Sequence, residues 1–307
     1  MLSKIIKFCQ FFKNDKLVLI YIPYMWMVAF FVIPFLVVLK ISFSLQAMSA
    51  PPFSDLLKFT NHSLIDISIN LGNYINLVKD SSFVTALLTS LSLSALSTFI
   101  TLILGFSIAL SLVHVSPQRR LMCLVMIMMP FCISFLIRIY AWISILSTKG
   151  IINTFLMDMK IIQDPLFLTD NIFTVCLGVV YCYLPFMILP IYNALEKIEK
   201  HIFEASANLG AKPFKTLFYI TIPLAKKGII SGIMLVFVPS MGEFVIPELL
   251  GGPDTIVIGR LLWMEFFNNL DWPQTSALAI SIILLFVFPV AYFQKQLESS
   301  KKEKLSD

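Results

Sequence analysis

Six stretches of this chain are long and apolar enough to cross a lipid bilayer, and that restricts the fold more than any other feature. A hydrocarbon core ~30 Å thick takes about 20 apolar residues as a helix. Residues 17–43, 84–113, 121–146, 172–195, 228–250 and 275–297 each meet that length. In such a core every backbone N–H and C=O needs an internal partner, so only helices and closed barrels span it. Barrel strands would appear as ~10-residue segments of alternating polarity, which this sequence lacks. The expectation is an all-α polytopic membrane protein with a lead at 1–16, a six-helix membrane domain at 17–297 and a tail at 298–307. Composition agrees: 58% of the 307 residues are hydrophobic and 13% charged, against ~45–50% and ~25% in soluble domains. A soluble globular enzyme is excluded.

The charges lie between the apolar runs, so the net +5 does not indicate nucleic acid. Lys and Arg collect on the cytosolic side of membrane proteins. Sixteen of the 23 fall in the lead, the loop with Arg119 and Arg120, the loop from Lys197 to Lys227, and the tail. Both termini are therefore expected in the cytosol. The outward side carries ten acids against five bases (Lys58, Lys79, Lys149, Lys160, Arg260), a balance that weakly attracts cations. The basic start resembles a secretion signal, but its apolar run exceeds the ~7–15 residues of a cleaved one, so it is read as a retained first helix. The long outward stretch 44–82 is expected to hold a short interfacial helix.

The five cysteines fall in the lead or within helices, and His62, His114 and His201 sit in three separate loops without ligands at metal spacing. They are read as packing or surface residues, with no metal site. No glycine is followed by lysine, so a phosphate-cradling loop ending in Gly-Lys is absent. If ATP drives this protein, Mg-ATP binds to another chain.

The most informative segment is the basic loop 196–227. Ile202, Ala205 and Leu209 recur at helical spacing. Gly210 suits a left-handed helix end and Pro213 the first turn of a second helix, with Pro223 at the approach to the fifth long helix. Ala205, Ser206 and Ala207 are small enough for close packing by a partner. Glu204-Ala205-Ser206, three residues, Gly210, nine residues and Ile220-Thr221-Ile222-Pro223 resemble the EAA loop of ABC-importer permeases. Ser206 and Ile222 depart from the family's Ala and Leu.

The likeness covers nearly the whole chain. Residues 136–142 (LIRIYAW), 184–190 (LPFMILP), 242–253 (GEFVIPELLGGP) and 266–273 (FFNNLDWP) are similar to the permeases of bacterial putrescine and spermidine importers, the putrescine type most of all. The resemblance implies a type I (MetI-like) permease fold in a bacterial inner membrane. It implies an ATPase dimer docked at Glu204, Ala205, Ser206, Gly210, Ile220 and Pro223, a second permease subunit and an extracytoplasmic binding protein. A permease for another small solute and a proton-coupled secondary transporter are the alternatives.

Intramembrane charges usually face a bundle interior or a cavity. Glu243, between Pro239 and Pro247 beside Gly242, is expected at a helix break of the kind that lines substrate paths. Two readings of it stand. It meets a substrate ammonium, with Tyr140, Trp142, Trp263 and Trp272 as cation-π faces, or it bonds freed backbone or pairs with Arg138. Arg138 is expected near the outward end of helix 121–146, where it snorkels. The tryptophans also fit an interfacial role.

Overall fold

The computed structural model describes residues 16–54, 57–59, 65–67, 70–253 and 255–303. The lead up to residue 15 with Cys9, His62 in the stretch 44–82 and the end of the tail lie outside the described residues. The chain forms two units, Met1–Lys79 with Glu265–Leu284, and Asp80–Met264 with Leu285–Asp307.

In the first unit, helix α1 (Lys16–Met27), a wide π turn (Val28–Val32) and α2 (Ile33–Ser42) follow one another without a gap. None of the apolar window within Tyr21–Ser42 is buried, and Tyr21, Trp26, Phe30 and Phe31 are all exposed. A helix that is apolar on every side needs lipid or protein around it. The stretch 44–82 holds a short helix, α3 (Gly72–Lys79). Asn70 starts it by accepting from the Gly72 amide at 2.8 Å. Buried Asn73 ties it to the end of α2, donating to the Ser42 and Ser44 carbonyls at 2.8 and 2.9 Å. The same loop contains an antiparallel pair, β1 (Leu57–Phe59) and β2 (Ile65–Ile67). Three-residue strands are too short to show the alternation that marks a strand in sequence, so they escaped the all-α reading.

The second unit is built around α8. In chain order it holds α4 (Ser81–His114), α5 (Pro117–Met128), a 3₁₀ turn (Met129–Cys132), α6 (Phe135–Leu146), α7 (Ile151–Asp158) and α8 (Ile172–Leu195). Then come α9 (Lys200–Asn208), α10 (Pro213–Thr216), a π turn (Leu217–Thr221), α11 (Ile222–Met241), α12 (Val245–Leu250) and α13 (Ile258–Trp263). One further helix, α14 (Trp272–Glu303), follows. Among the described residues five helices have the length and apolarity of a membrane span; the apolar stretch of the sixth, Trp272–Val287, is shorter.

Two of the expected spans are corrected. The helix expected at 121–146 is broken, because Pro130 cannot donate to the preceding turn and Ile133 is extended. The candidate span there is instead Phe135–Asp158. The helix expected at 228–250 runs from Pro213 to Met241 and stops before Gly242. Residues 213–227, expected in a surface loop, belong to this long helix, since the π turn at Leu217–Thr221 shifts the hydrogen-bond register and absorbs Pro223.

One core cluster surrounds Val175, Cys176 and Val179 with Leu93, Ile139 and Ile246. A second surrounds Met187, Ile188 and Ile191 with Ala109, Ala225 and Val236. Glycines set the helix spacing there. A Cβ at Gly232 would stand 2.8 Å from Met187 Sδ, and one at Gly228 would overlap Ala194 Cβ and stand 2.5 Å from the Pro190 carbonyl oxygen. Backbone cannot rotate away as a side chain can. Gly228→Ala is expected to force α8 and α11 apart at a cost of ~1–3 kcal/mol, read as a lower melting temperature of the purified protein. An unchanged melting temperature would refute this close approach.

Candidate functional site: two helix breaks beside α8

The interruptions at 129–134 and 242–244 both reach α8. Phe131, beside Pro130, meets Phe186 edge-on at 5.2 Å, and Phe186 lies 6.2 Å from Tyr183. The Tyr183 hydroxyl donates to Glu243 Oε2 at 2.7 Å. Glu243 Oε1 accepts from the Val245 and Ile246 amides at 3.0 and 3.4 Å. These are the opening amides of α12, which lack acceptors within their own helix and favour a negative charge. Glu243 therefore does hold backbone freed by the break, as one of its two readings required. A carboxylate offers about four lone-pair sites, so three bonds leave it able to accept another donor.

Arg138 differs from expectation. The restart of the helix at Phe135 puts it in the first turn of α6 instead of near an outward end. It is 9% exposed, with its guanidinium carbon 4.7 Å from the Phe131 ring centre and 5.6 Å from that of Phe135. Its Nε and Nη1 find no hydrogen-bond acceptor among the described residues. Among the described residues it forms no ion pair with Glu243.

The four aromatic candidates separate. Trp263 stacks on Phe244, next to Glu243, at 4.9 Å and 11°. Trp142 packs edge-on against Tyr181 at 5.4 Å beside the first core cluster. Tyr140 is 55% exposed. Trp272 belongs to the first unit, where it stacks on Phe266 at 5.1 Å. Tyr183, Phe131 and Phe186 were missed as site residues, although Tyr183 and Phe131 directly flank the Leu184–Pro190 stretch and Pro130.

The broken segment is fixed from its far side. A Cβ at Gly259 would stand 2.7 and 2.8 Å from the Gly242 and Glu243 carbonyl oxygens, so only glycine lets α13 approach this closely. Ser90 Oγ accepts from the Ile258 amide at 2.7 Å. Arg260 pairs with Glu248 at 2.7 Å and donates to the Gly252 carbonyl at 3.1 Å.

The expected coupling residues form a second feature. Glu204 and Ala205 are exposed on α9, and Leu209 is 87% exposed, so the apolar recurrence at 202, 205 and 209 points largely outward. Ser206 turns the other way: it is 4% exposed and its hydroxyl bonds that of Thr216 at 2.7 Å, joining α9 to α10. It is a structural tie, not part of a small face offered to a partner. Gly210 adopts φ +75°, and a Cβ there would meet nothing within 4 Å. Ile220 is half-buried in the π turn and Pro223 is exposed in the first turn of α11. An apolar groove of about 440 Å³ runs between the end of α4 and this segment, lined by Leu110, Phe203, Ala207, Pro213, Phe214 and Leu217 among others.

Residues 101–303 match the family of binding-protein-dependent transport system inner membrane components. The chain belongs to that family. The permease is 35% identical to the spermidine/putrescine transport system permease protein PotB of Haemophilus influenzae over 87% of its length and 90% of the relative's. It is 33% identical to PotB of Escherichia coli over 91% and 97%. Its fold matches that of a bacterial ABC transporter involved in alginate import, with a TM-score of 0.68, 18% identity, and 94% of this chain and 99% of the other covered. The permease is thus a multi-pass inner-membrane protein with the type I importer permease fold, a transport-system subunit and not an enzyme. The relatives' names cover both spermidine and putrescine, so they do not single out the putrescine type.

Proposed function

We propose that this permease forms the transmembrane path of an ATP-driven importer of polyamines, with putrescine accepted as a small diamine. The observation that carries this reading is Glu243, a carboxylate at a helix break with lone pairs to spare, beside Tyr183 and the stacked Phe244–Trp263 pair. An ammonium gains a charge-assisted bond from such an oxygen and cation-π attraction from adjacent ring faces. The relatives' polyamine names agree with that chemistry. Membership of a binding-protein-dependent family leaves a self-sufficient proton-coupled carrier without support.

The exposed surface of α9 and the Gly210 elbow dock a separate ATPase, which binds Mg-ATP. A second permease subunit and an extracytoplasmic binding protein complete the complex, and lipid surrounds it. Purified complex in liposomes, loaded with ATP and supplied with binding protein, is expected to accumulate radiolabelled putrescine and spermidine. Accumulation of an anionic solute instead, or uptake on a proton gradient without ATP, would sink this reading.

The charge distribution supports cytosolic termini and cytosolic loops at 114–120 and 196–227. In a cysteine-free background, Asn208→Cys is expected to resist a membrane-impermeant maleimide in intact cells and to react after permeabilisation. Labelling from outside intact cells would reverse the orientation.

A further inference from the structure

A second cavity, of about 640 Å³, opens between the end of α8, the start of α9 and the flank of α11. Two lysines line it, Lys197 just after α8 and Lys227 within α11. Among the described residues neither has an ion-pair partner. The neighbouring acids are already engaged: Glu196 meets Arg120 at 2.8 Å, and Glu199, which also lines the cavity, meets His201 Nδ1 at 2.9 Å. Lys197 follows the C-terminal end of α8, where a cation is favoured in any case. Lys227, inside the continuous helix Pro213–Met241, has no helix end to offset its charge.

The start of α9 adds further donors. Its first amides, those of Lys200 and His201, have no acceptor within the helix, and the side chain of the capping residue Glu199 supplies none. The same end carries the partial positive charge of the helix. Asn193 and Ser231 complete the polar lining with groups that can donate. Two unpaired cations, free amides and neutral donors from three elements are the combination that receives a phosphate. We infer that this cavity binds a phosphate group. Free phosphate and the headgroup of an anionic phospholipid share that chemistry, and the position favours the headgroup. Residues 228–241 carry no charge, so Lys227 marks the edge of the apolar part of α11, the level at which lipid phosphates lie. Ser231 and Leu235 follow Lys227 at intervals of four, on the same helix face. Leu235 is 48% exposed and offers an acyl chain an apolar surface. The basic side of a membrane protein is the cytosolic one, where the leaflet is anionic. A phosphate held here ties the first turn of α9 to α8 and α11, and so steadies the segment that leads to the Gly210 elbow.

The test titrates purified full-length permease in detergent with phosphatidylglycerol, phosphatidylcholine and radiolabelled inorganic phosphate. Native mass spectrometry gives Kd for the lipids, and equilibrium dialysis gives it for phosphate. Phosphatidylglycerol is expected to bind more tightly than the zwitterionic lipid. Lys197→Gln and Lys227→Gln should each raise its Kd about fivefold, the order of one basic residue facing an anionic headgroup. Lys227→Arg keeps the charge and should stay near the wild-type value. Lys226→Gln removes an adjacent lysine that does not line the cavity, and should also leave Kd near wild type. Lysine-dependent binding of phosphatidylglycerol without binding of inorganic phosphate assigns the cavity to the lipid. Lysine-dependent binding of inorganic phosphate assigns it to the soluble anion. Absence of binding by both, or an unchanged Kd in the Lys197→Gln/Lys227→Gln double variant, would overturn the site. An equal loss in Lys226→Gln would overturn it too, by showing a general attraction of the basic surface.

Discussion

Gly210→Val is expected to remove at least nine-tenths of ATP-driven uptake while the permease still reaches the membrane in near-normal amount. Two separate effects produce this. At φ +75° a residue with a Cβ is strained by ~1–2 kcal/mol, and β-branching makes the left-handed region a genuine outlier. The chain therefore turns elsewhere after Leu209, and the bonds from the Gly210 and Ala211 amides to the Ala207 and Ser206 carbonyls are put at risk. Within this chain there is nothing for a Cβ to strike, so the damage is confined to the exposed elbow and its docking partner. Gly210→Ala, strained but small, should retain intermediate activity. The measurement is ATPase subunit recovered with the tagged permease, alongside uptake. Full recovery with full transport in the valine variant would remove Gly210 from coupling. Loss of the permease from the membrane would show that the elbow serves folding instead.

The elbow was legible because its signals are local. A helical recurrence, a glycine and a proline at set distances need no knowledge of the rest of the chain, and the left-handed Gly210 stands where they placed it. Helix 172–195 was legible for the opposite reason: continuous apolarity over the length of a bilayer marks a span wherever it packs. The interruptions were harder. Pro130 and Pro239 are both prolines in apolar runs, yet Pro185 and Pro190 lie inside an unbroken helix, so proline alone does not locate a break. The contacts around α8 decide. Ser206 was misassigned because small size suits a partner's approach and an internal tie equally well, and only the Thr216 hydroxyl separates the two. Arg138 was misplaced by one assumption, that its helix was continuous from 121. Once the helix restarts at Phe135, the same residue moves from a helix end to a buried first turn.

Glu243→Gln is expected to slow polyamine uptake roughly tenfold or more, from the loss of a charge-assisted hydrogen bond of ~1.5–3 kcal/mol. The structure makes glutamine an informative replacement because Glu243 has two separable tasks. Its Oε1 accepts from the Val245 and Ile246 amides, and a glutamine carbonyl oxygen can do the same, so the start of α12 stays capped. Its Oε2 accepts from Tyr183; an amide nitrogen there can only donate to the tyrosine oxygen, so the bond reverses while the charge is lost. Tyr183→Phe separates charge from hydrogen bond: it removes the hydroxyl and leaves the carboxylate open to an amine. If charge is what the polyamine needs, Tyr183→Phe should transport within about threefold of wild type, because the amine's own bond to the carboxylate is untouched, while Glu243→Gln remains slow. Glu243→Ala removes the cap as well and should lower membrane abundance, since truncating a helix-capping acceptor costs ~0.5–2 kcal/mol. The assay is uptake by reconstituted complexes at saturating binding protein and ATP, normalised to permease content. Equal defects in Tyr183→Phe and Glu243→Gln would assign the role to the hydrogen bond between them, and unchanged uptake by Glu243→Gln would take the carboxylate out of the substrate path.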